Sequence, residues 1–271
     1  MLTITQKEFN QLASFIRENY GIHLKDEKKT LVLGRLQNVL HQAGITNFTD
    51  YYEYLVSDQT GEAVVALTNH ITTNHTYFLR EAEHFIYFRD RVLPYLVNTV
   101  RNKDLRIWSA ACSSGEEAYT LAMILDEYLG REKAFWDTKI LATDISEKVL
   151  NIAKVGMYSN ERINQLPERW KKRYFKKYDS DNSILTDAIR NEVIYRRLNL
   201  MEPNFPFKQR FHTIFCRNVM IYFDTATKDE LVRKFYDQLE YGGYLFIGHS
   251  ESLNRDITNF RYIMPAVYRK E

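Results

Sequence analysis

The sequence predicts an α/β fold, a mostly parallel sheet with helices on both faces, preceded by a small all-helical domain. Three observations lead there. From about residue 80 onward, strand-like apolar runs alternate with helical periodicity, the pattern of a parallel sheet with crossover helices. Before that, residues 1–71 carry only the helical period, with no β-alternation. Finally, "LRIWSAACSSGEEAYTLAMILDEYLG" (105–130) reads as a strand, a loop of small residues and a helix. Sheets of this kind bind ligands at such junctions, beyond the carboxyl ends of their strands.

The elements follow in order. Thr5 and Glu8 form a capping pattern, Phe9, Leu12, Ala13, Ile16 and Tyr20 recur at helical spacing, and Gly21 stands where the helix stops. A second helix spans about Asp26 to Ala43, and "NFTDYYEYLVS" and "TGEAVVALTNHI" are two shorter ones. A helix over roughly 81–100, bent at Pro94, leads into the strand "LRIWSA" and the helix "GEEAYTLAMILDEYLG". The strand "TKILATDIS" comes next, then a helix from Ser146. "FHTIFCRNVMIYF" is a strand ending in a polar loop. "TKDELVRKFYDQLEYGG" is a helix stopped by Gly242 and Gly243, "YLFIGHSE" a further strand, and "FRYIMPAVYRK" supplies one or two closing strands. A small β-excursion is expected at about 170–198. Segment 161–177 is a basic cluster, seven Lys or Arg against two Glu.

Composition narrows the classes. With 271 residues the chain holds one large domain or a large and a small one, and 45% hydrophobic with 27% charged residues is ordinary globular composition. A net charge of +2 gives no reason to expect nucleic acid. Two distant cysteines, Cys112 and Cys216, make neither a disulfide framework nor a zinc pattern and suit a reducing cytosol. His75, His84, His212 and His249 lack metal spacing, and no metal is expected. No run reaches the ~18–20 apolar residues of a membrane helix, and "MLTITQKEFNQ" has no signal-peptide core. A soluble, cytoplasmic protein without membrane insertion is the expectation.

The loop at 111–115 is unusual for a phosphate site. It has one glycine, Gly115, followed at once by Glu116 and Glu117. Backbone N–H groups and the helix dipole favour anions there, and two carboxylates oppose them. A ligand with a cationic end and no phosphate fits better, and S-adenosylmethionine carries both an ammonium and a sulfonium. Glutamate in a first helical turn is also favoured by the dipole alone, by ~0.3–1 kcal/mol. Asp144 ends the second strand, twenty-nine residues after Gly115, where a carboxylate can bind both ribose hydroxyls. Asp144 or Ser146 can equally cap the next helix. Two acids at adjacent strand tips without a phosphate loop favour S-adenosylmethionine over NAD, so an NAD oxidoreductase is the weakest reading.

"TTNHTYFLREAEHF" (72–85), "WSAACSSGEEAYTLAM", "ATDIS", "LNL", "FCRNVMIYF" (215–223) and "GHSE" together closely resemble the chemotaxis receptor glutamate methyltransferases, the CheR-type family. The resemblance runs over nearly the whole chain. It implies a Rossmann-like class I methyltransferase sheet in 81–271, an N-terminal helical domain in 1–71, and an interdomain segment, 72–80, that contributes to the cofactor site. It further implies that Asn74, Thr76 and Arg80 contact the cofactor, that Glu117 takes the methionyl ammonium, with Glu116 beside it, and that Asp144 binds the ribose. Asn199 and Leu200 would flank the adenine, and Arg217 and Asn218 would close the site. Arg80, Arg217 and Tyr222 would face the methyl-transfer centre, S-adenosylhomocysteine would be the product, and chemoreceptor cytoplasmic helices the substrate.

That set is chemically coherent. A glutamate with pKa near ~4.3 is already ionised at neutral pH, so the nucleophile needs alignment and a clamp rather than a base. Arginine matches a carboxylate with a forked, permanently charged donor. The second helix departs from the family's basic receptor-docking face: Lys25, Lys28, Lys29 and Arg35 precede a nearly neutral half. "KKYDSDNSILTD" lacks the glycine-rich turn of members that grip a receptor's C-terminal pentapeptide tether, so tether binding is not expected. The alternative function is a non-catalytic S-adenosylmethionine-binding or scaffolding module in a signalling complex.

Overall fold

The computed structural model describes residues 2–58, 62–71 and 76–271, which fall into two compact units. The first takes residues up to His75 together with Tyr222–Lys228. Its helices are α1 (Gln6–Tyr20), α2 (Lys29–Gln42, entered through a 3-10 turn), α3 (Phe48–Ser57) and α4 (Glu62–Ile71). The Thr5–Glu8 capping box is complete, and Gly21 ends α1 in the left-handed region at φ 70°. Phe9, Leu12, Ile16, Leu36, Leu40 and Tyr51 close one core. Tyr222 and Phe223 pack on that core. The His23 N–H donates to the Tyr222 carbonyl at 2.8 Å, and Arg17 pairs with Asp224 at 2.6 Å.

The second unit takes Thr76–Ile221 and Asp229–Glu271. It opens with α5 (Ala82–Tyr87), a π turn at Phe88–Val92 and α6 (Leu93–Thr99) in place of one bent helix. Pro94 has no N–H to give the previous turn, and the widened turn absorbs the missing bond before it. There follow β1 (Ile107–Ala110), α7 (Glu116–Leu129), β2 (Ile140–Asp144), α8 (Glu147–Val155), β3 (Met157–Ser159), α9 (Asn160–Ile163) and α10 (Glu168–Tyr174). β4 (Phe175–Lys177), β5 (Asn182–Leu185), α11 (Asp187–Arg190), β6 (Val193–Arg197) and β7 (Phe211–Cys216) come next. α12 (Thr225–Gln238), β8 (Leu239–Ile247), β9 (Phe260–Met264) and β10 (Val267–Lys270) complete the chain.

The main sheet has the order β6-β2-β1-β7-β8-β10-β9, parallel from β6 to β8 and antiparallel beyond. From β1 the chain moves outward through β2 to β6, then returns to the other side of β1 as β7. The order reverses between β1 and β7, so the ligand crevice belongs at their carboxyl ends. The core under that crevice is aromatic, with Phe215 on β7 stacked on Phe246 of β8 at 4.3 Å between ring centroids.

Two expectations are corrected. The small antiparallel sheet is β3-β5-β4, drawn from residues 157–185, whereas the sequence suggested about 170–198. Val193–Arg197 instead pairs with β2 as an edge of the main sheet. Gly242 and Gly243 do not stop a helix. α12 ends at Gln238, and the pair sits inside β8, where the register with β7 slips. Gly242 has φ 82°, and a Cβ on Gly243 would meet the carbonyls of Glu240 and His212 at 2.9 and 3.0 Å, so both serve a bulge.

Candidate active site at the carboxyl ends of β1 and β7

The loop after β1 turns three of its backbone donors back onto the protein. Ala111, Ser113 and Gly115 all take positive φ. The N–H of Cys112 donates to the Thr143 carbonyl, that of Ser113 to Asp144 Oδ2 at 2.9 Å, and that of Gly115 to the Cys112 carbonyl. A pyrophosphate would find these three N–H groups already bonded, which disfavours a phosphate cradle here.

The two adjacent glutamates part company. Glu116 is fully buried, accepting from Ser114 Oγ at 2.7 Å and from Arg162 on α9 at 3.0 Å. Burial pushes its carboxyl up from the usual range, against those two partners. It anchors the loop to the small-sheet region and does not face a ligand. Glu117, one step round the helix, accepts from Ser109 Oγ at 2.7 Å and from Arg217 Nη1 at 2.9 Å.

Arg217, just beyond β7, is the hub of the site. Its side chain is 3% exposed. Nε donates to His84 Nδ1 at 3.0 Å, Nη1 to Glu117, and Nη2 to Glu81 Oε2 at 3.0 Å and to the Arg80 carbonyl. The guanidinium lies over the Phe85 ring at 5.1 Å. Asn218, at φ 60°, donates its side-chain N–H to Glu81 Oε1 at 3.0 Å. The backbone N–H groups of Asn218, Ile221 and Gly248 all donate to the buried Glu251. Gly248 is required there, because a Cβ would meet Asn218 Nδ2 at 2.4 Å.

Asp144 ends β2, each carboxylate oxygen held by one backbone N–H, from Ser113 and Ser146. Burial raises its pKa, and those N–H bonds oppose the rise. Ser146, not Asp144, caps α8 through its hydroxyl. Asn199 and Leu200 follow β6, beside Asp144, whose carbonyl accepts the Leu198 N–H at 3.0 Å. Asn199 Oδ1 accepts from the Met201 N–H, and Leu200 is buried. Thus Arg80, Glu117, Arg217 and Asn218 form one network bonded through Glu81 and Arg217, while Asn199 and Leu200 follow the β6 end that pairs with Asp144. Thr76 is half-buried where the second unit begins. Asn74 lies outside the described residues, and Tyr222 belongs to the first unit.

Sequence reading passed over Glu81, His84 and Glu251 as parts of this site. The spacing Glu81-x-x-His84 was visible but is common; what gives it meaning is Arg217, distant in the chain. His84 is driven down to about 3 by burial and by the Arg217 charge, so it is a neutral acceptor. Among the described residues Glu81, His84 and His249 bring ligand atoms within 4.8 Å of one another. The Arg217 guanidinium already bonds Glu81 and His84, so a cation occupies the position a metal would take.

The chain matches the family described as "CheR methyltransferase, SAM binding domain" over residues 74–268, and its "all-alpha domain" over 7–72. A chemotaxis protein methyltransferase of Borreliella burgdorferi is 43% identical over 99% of this chain and 96% of its own. Those of Escherichia coli (36%; 98% of this chain, 92% of its own) and, as a probable one, Rhizobium etli (37%; 94% and 99%) are similar over nearly their full lengths. Methyl donation from S-adenosylmethionine fits the donor set: a carboxylate at the tip of β2, a second at the start of α7, and loop N–H groups at Cys112, Ser113 and Gly115 already bonded.

Proposed function

The chain belongs to the CheR methyltransferase family, and from that premise we propose that it forms methyl esters on glutamate side chains of chemoreceptor cytoplasmic helices. Bound S-adenosylmethionine supplies an electrophilic methyl group on a sulfonium. Asp144 takes the ribose hydroxyls, Glu117 the amino-acid ammonium, and Asn199 and Leu200 border the adenine, with Thr76 and Asn218 beside them; the resemblance assigns Asn74 to the cofactor as well. The observation that carries ester formation is the hydrogen bond from Arg217 Nε to His84 Nδ1, which occupies the imidazole's acceptor nitrogen. The imidazole at the centre of the network accepts Arg217's proton donor and is pushed down to about 3, so it cannot serve as a base near neutrality. A carboxylate nucleophile needs none, whereas an amine or alcohol does.

The two arginines divide the work. Arg217 gives four of its five N–H groups to protein acceptors, Glu117 among them, so it orients Glu117. By the family resemblance Arg80 is the guanidinium that receives the substrate carboxylate, as a forked donor matched to it. The resemblance also assigns the Tyr222 hydroxyl, and Tyr222→Phe is the variant that tests it.

For docking, Arg35 on α2 donates to the His70 and Ile71 carbonyls at the end of α4, which draws its charge inward. Arg169 and Arg173 of the basic cluster pair with Glu127 and Asp126 of α7. Neither helix therefore offers the full positive face its sequence suggests. The turn at 179–182 is closed by Asp179, which accepts the N–H groups of Asp181 and Asn182, without glycine. We hold tether binding unexpected, and micromolar binding of such a pentapeptide in calorimetry would overturn that. The test of the reaction is methyl transfer from labelled S-adenosylmethionine to a receptor cytoplasmic fragment. Label released as methanol by mild alkali supports an ester, and alkali-stable label refutes it.

A further inference from the structure

The site contains two carboxylates around one guanidinium, and only one of them has a role so far. Glu81 is not an accessory of the Arg80 segment. It precedes α5 in the left-handed region, at φ 56°, a costly conformation for a side chain of this size that persists only when its surroundings hold it there. What holds it are three donors from two other chain segments. Oε2 accepts from Arg217 Nη2 at 3.0 Å and from the His249 N–H at 3.2 Å, and Oε1 accepts from Asn218 Nδ2 at 3.0 Å. Glu81 therefore ties the entry to α5, the loop after β7 and the loop after β8 at one point.

The geometry around Arg217 shows what this accomplishes. Arginine and carboxylate prefer a fork, two parallel N–H donors on two oxygens. Arg217 and Glu117 do not make one. Only Nη1 reaches Glu117, on Oε2, because Nη2 is drawn to Glu81 and Nε to His84. The other Glu117 oxygen takes the Ser109 hydroxyl. A carboxylate offers about four lone-pair positions, so among the described residues two of them stay open on Glu117. The charges agree: Glu81 and Glu117 against Arg217 leave one negative charge over, while Glu117 and Arg217 alone would leave none.

We infer that Glu81 is a positioning residue for the cofactor's amino-acid end: it holds the Arg217 guanidinium off the Glu117 fork and so keeps Glu117 open for an ammonium. This rests on the reading of Glu117 as the ammonium acceptor. Glu81 acts through Arg217 and Glu117 and touches neither the methyl group nor its acceptor.

The test uses two ligands that share the adenosine and the thioether. S-adenosylhomocysteine carries the amino-acid end and 5′-methylthioadenosine lacks it. Calorimetry is run on the full chain as wild type, Glu81→Gln, Glu81→Asp and Glu117→Gln, with folding checked by thermal melting. Glu81→Gln is expected to weaken S-adenosylhomocysteine by about tenfold, the size of one charge-assisted contact. Binding of 5′-methylthioadenosine stays as in wild type. Glu81→Asp, which keeps the charge, recovers part of the loss, and it carries the test if Glu81→Gln does not fold. Equal weakening of both ligands would mean that Glu81 only holds the fold, and overturns the proposal. So does an unchanged ratio in Glu81→Gln while Glu117→Gln shifts it. If Glu117→Gln itself leaves the ratio unchanged, the ammonium assignment falls first, and the role of Glu81 with it.

Discussion

Gly115→Ala is a severe test of the loop geometry, because two separable costs meet at one methyl group. Gly115 sits at φ 95°, where an L side chain is strained, by ~1–2 kcal/mol for a left-handed residue. The new Cβ would also lie 2.7 Å from Tyr195 Oη, 2.9 Å from Ala153 Cβ and 3.2 Å from Tyr158 Oη. These are not flexible ends. Tyr158 donates to the Ser114 carbonyl at 2.7 Å, and both rings pack edge-on against Tyr119. Overpacking of a rigid core costs ~1–3 kcal/mol, which brings the sum to ~2–5 kcal/mol. For a unit of this size each kcal/mol lowers Tm by roughly 2–4 °C, so a fall of several degrees at the least is expected in calorimetric melting.

The loop can relieve the clash only by moving, and Ser113 and Asp144 move with it, so affinity for S-adenosylhomocysteine falls as well. Adding Tyr195→Phe removes the 2.7 Å contact and should restore the steric part while leaving the backbone part. A Gly115→Ala protein that melts within about 0.5 kcal/mol of wild type, the ordinary spread of a surface substitution, and binds with unchanged affinity would refute this geometry. A double variant no better than the single would refute its steric half.

Asp144→Asn should lower S-adenosylhomocysteine affinity by roughly tenfold to a hundredfold in calorimetry, because under the proposed assignment one oxygen offered to a ribose hydroxyl becomes a donor. Arg162→Ala leaves the buried Glu116 without its cation. Arg162 is 52% exposed, so screening holds the loss near ~1 kcal/mol, and Glu116→Gln in that background should recover it in urea titrations. His212 is held neutral by burial, down to about 4 from 6.5, with its Nδ1 accepting the Arg106 N–H. Because the folded value is the lower one, the native state binds fewer protons than the unfolded chain between those values. Stability from this group is therefore lost as pH falls through 6.5 towards about 4, by up to ~3 kcal/mol. His212→Asn, whose amide oxygen can replace Nδ1, should give a flatter stability profile across that window, and a parallel profile would sink the assignment.

Sequence alone reached the elements whose signal is local. Thr5 and Glu8 cap α1 because the capping box needs only residues three apart, and Asp144 ends β2 because the apolar run stops there. Periodicity told the helical unit from the sheet for the same reason. What stayed hidden depends on partners far along the chain. Glu116 and Glu117 look interchangeable in sequence, yet Arg162 and Arg217 claim one each. Gly242 and Gly243 have the composition of a helix stop, and only the register slip against β7 makes them a bulge. Val193–Arg197 has strand character without a marker for which sheet it joins. Glu81 and Glu251 read as surface acids until the loops after β7 and β8 close over them.

The proposed reaction differs from most transfers in what it asks of its clamp. As the bond from carboxylate oxygen to methyl carbon forms, a negative charge and a positive one disappear together. The transition state therefore carries less charge than the bound reactants, and a dry site favours it without oxyanion-type donors. An arginine that grips the carboxylate binds the fully charged ground state more tightly than the half-neutralised transition state, so the grip serves capture and alignment rather than the chemical step. For Arg80→Gln, assayed at saturating S-adenosylmethionine, this predicts a raised KM for the receptor fragment with kcat unchanged or slightly higher. Arg217→Lys should behave in the opposite way. A lysine cannot serve His84, Glu81 and Glu117 at once, so cofactor affinity suffers while receptor KM does not. If Arg80→Gln instead lowers kcat with KM untouched, the guanidinium acts on the transition state, and the division of labour between the two arginines is wrong.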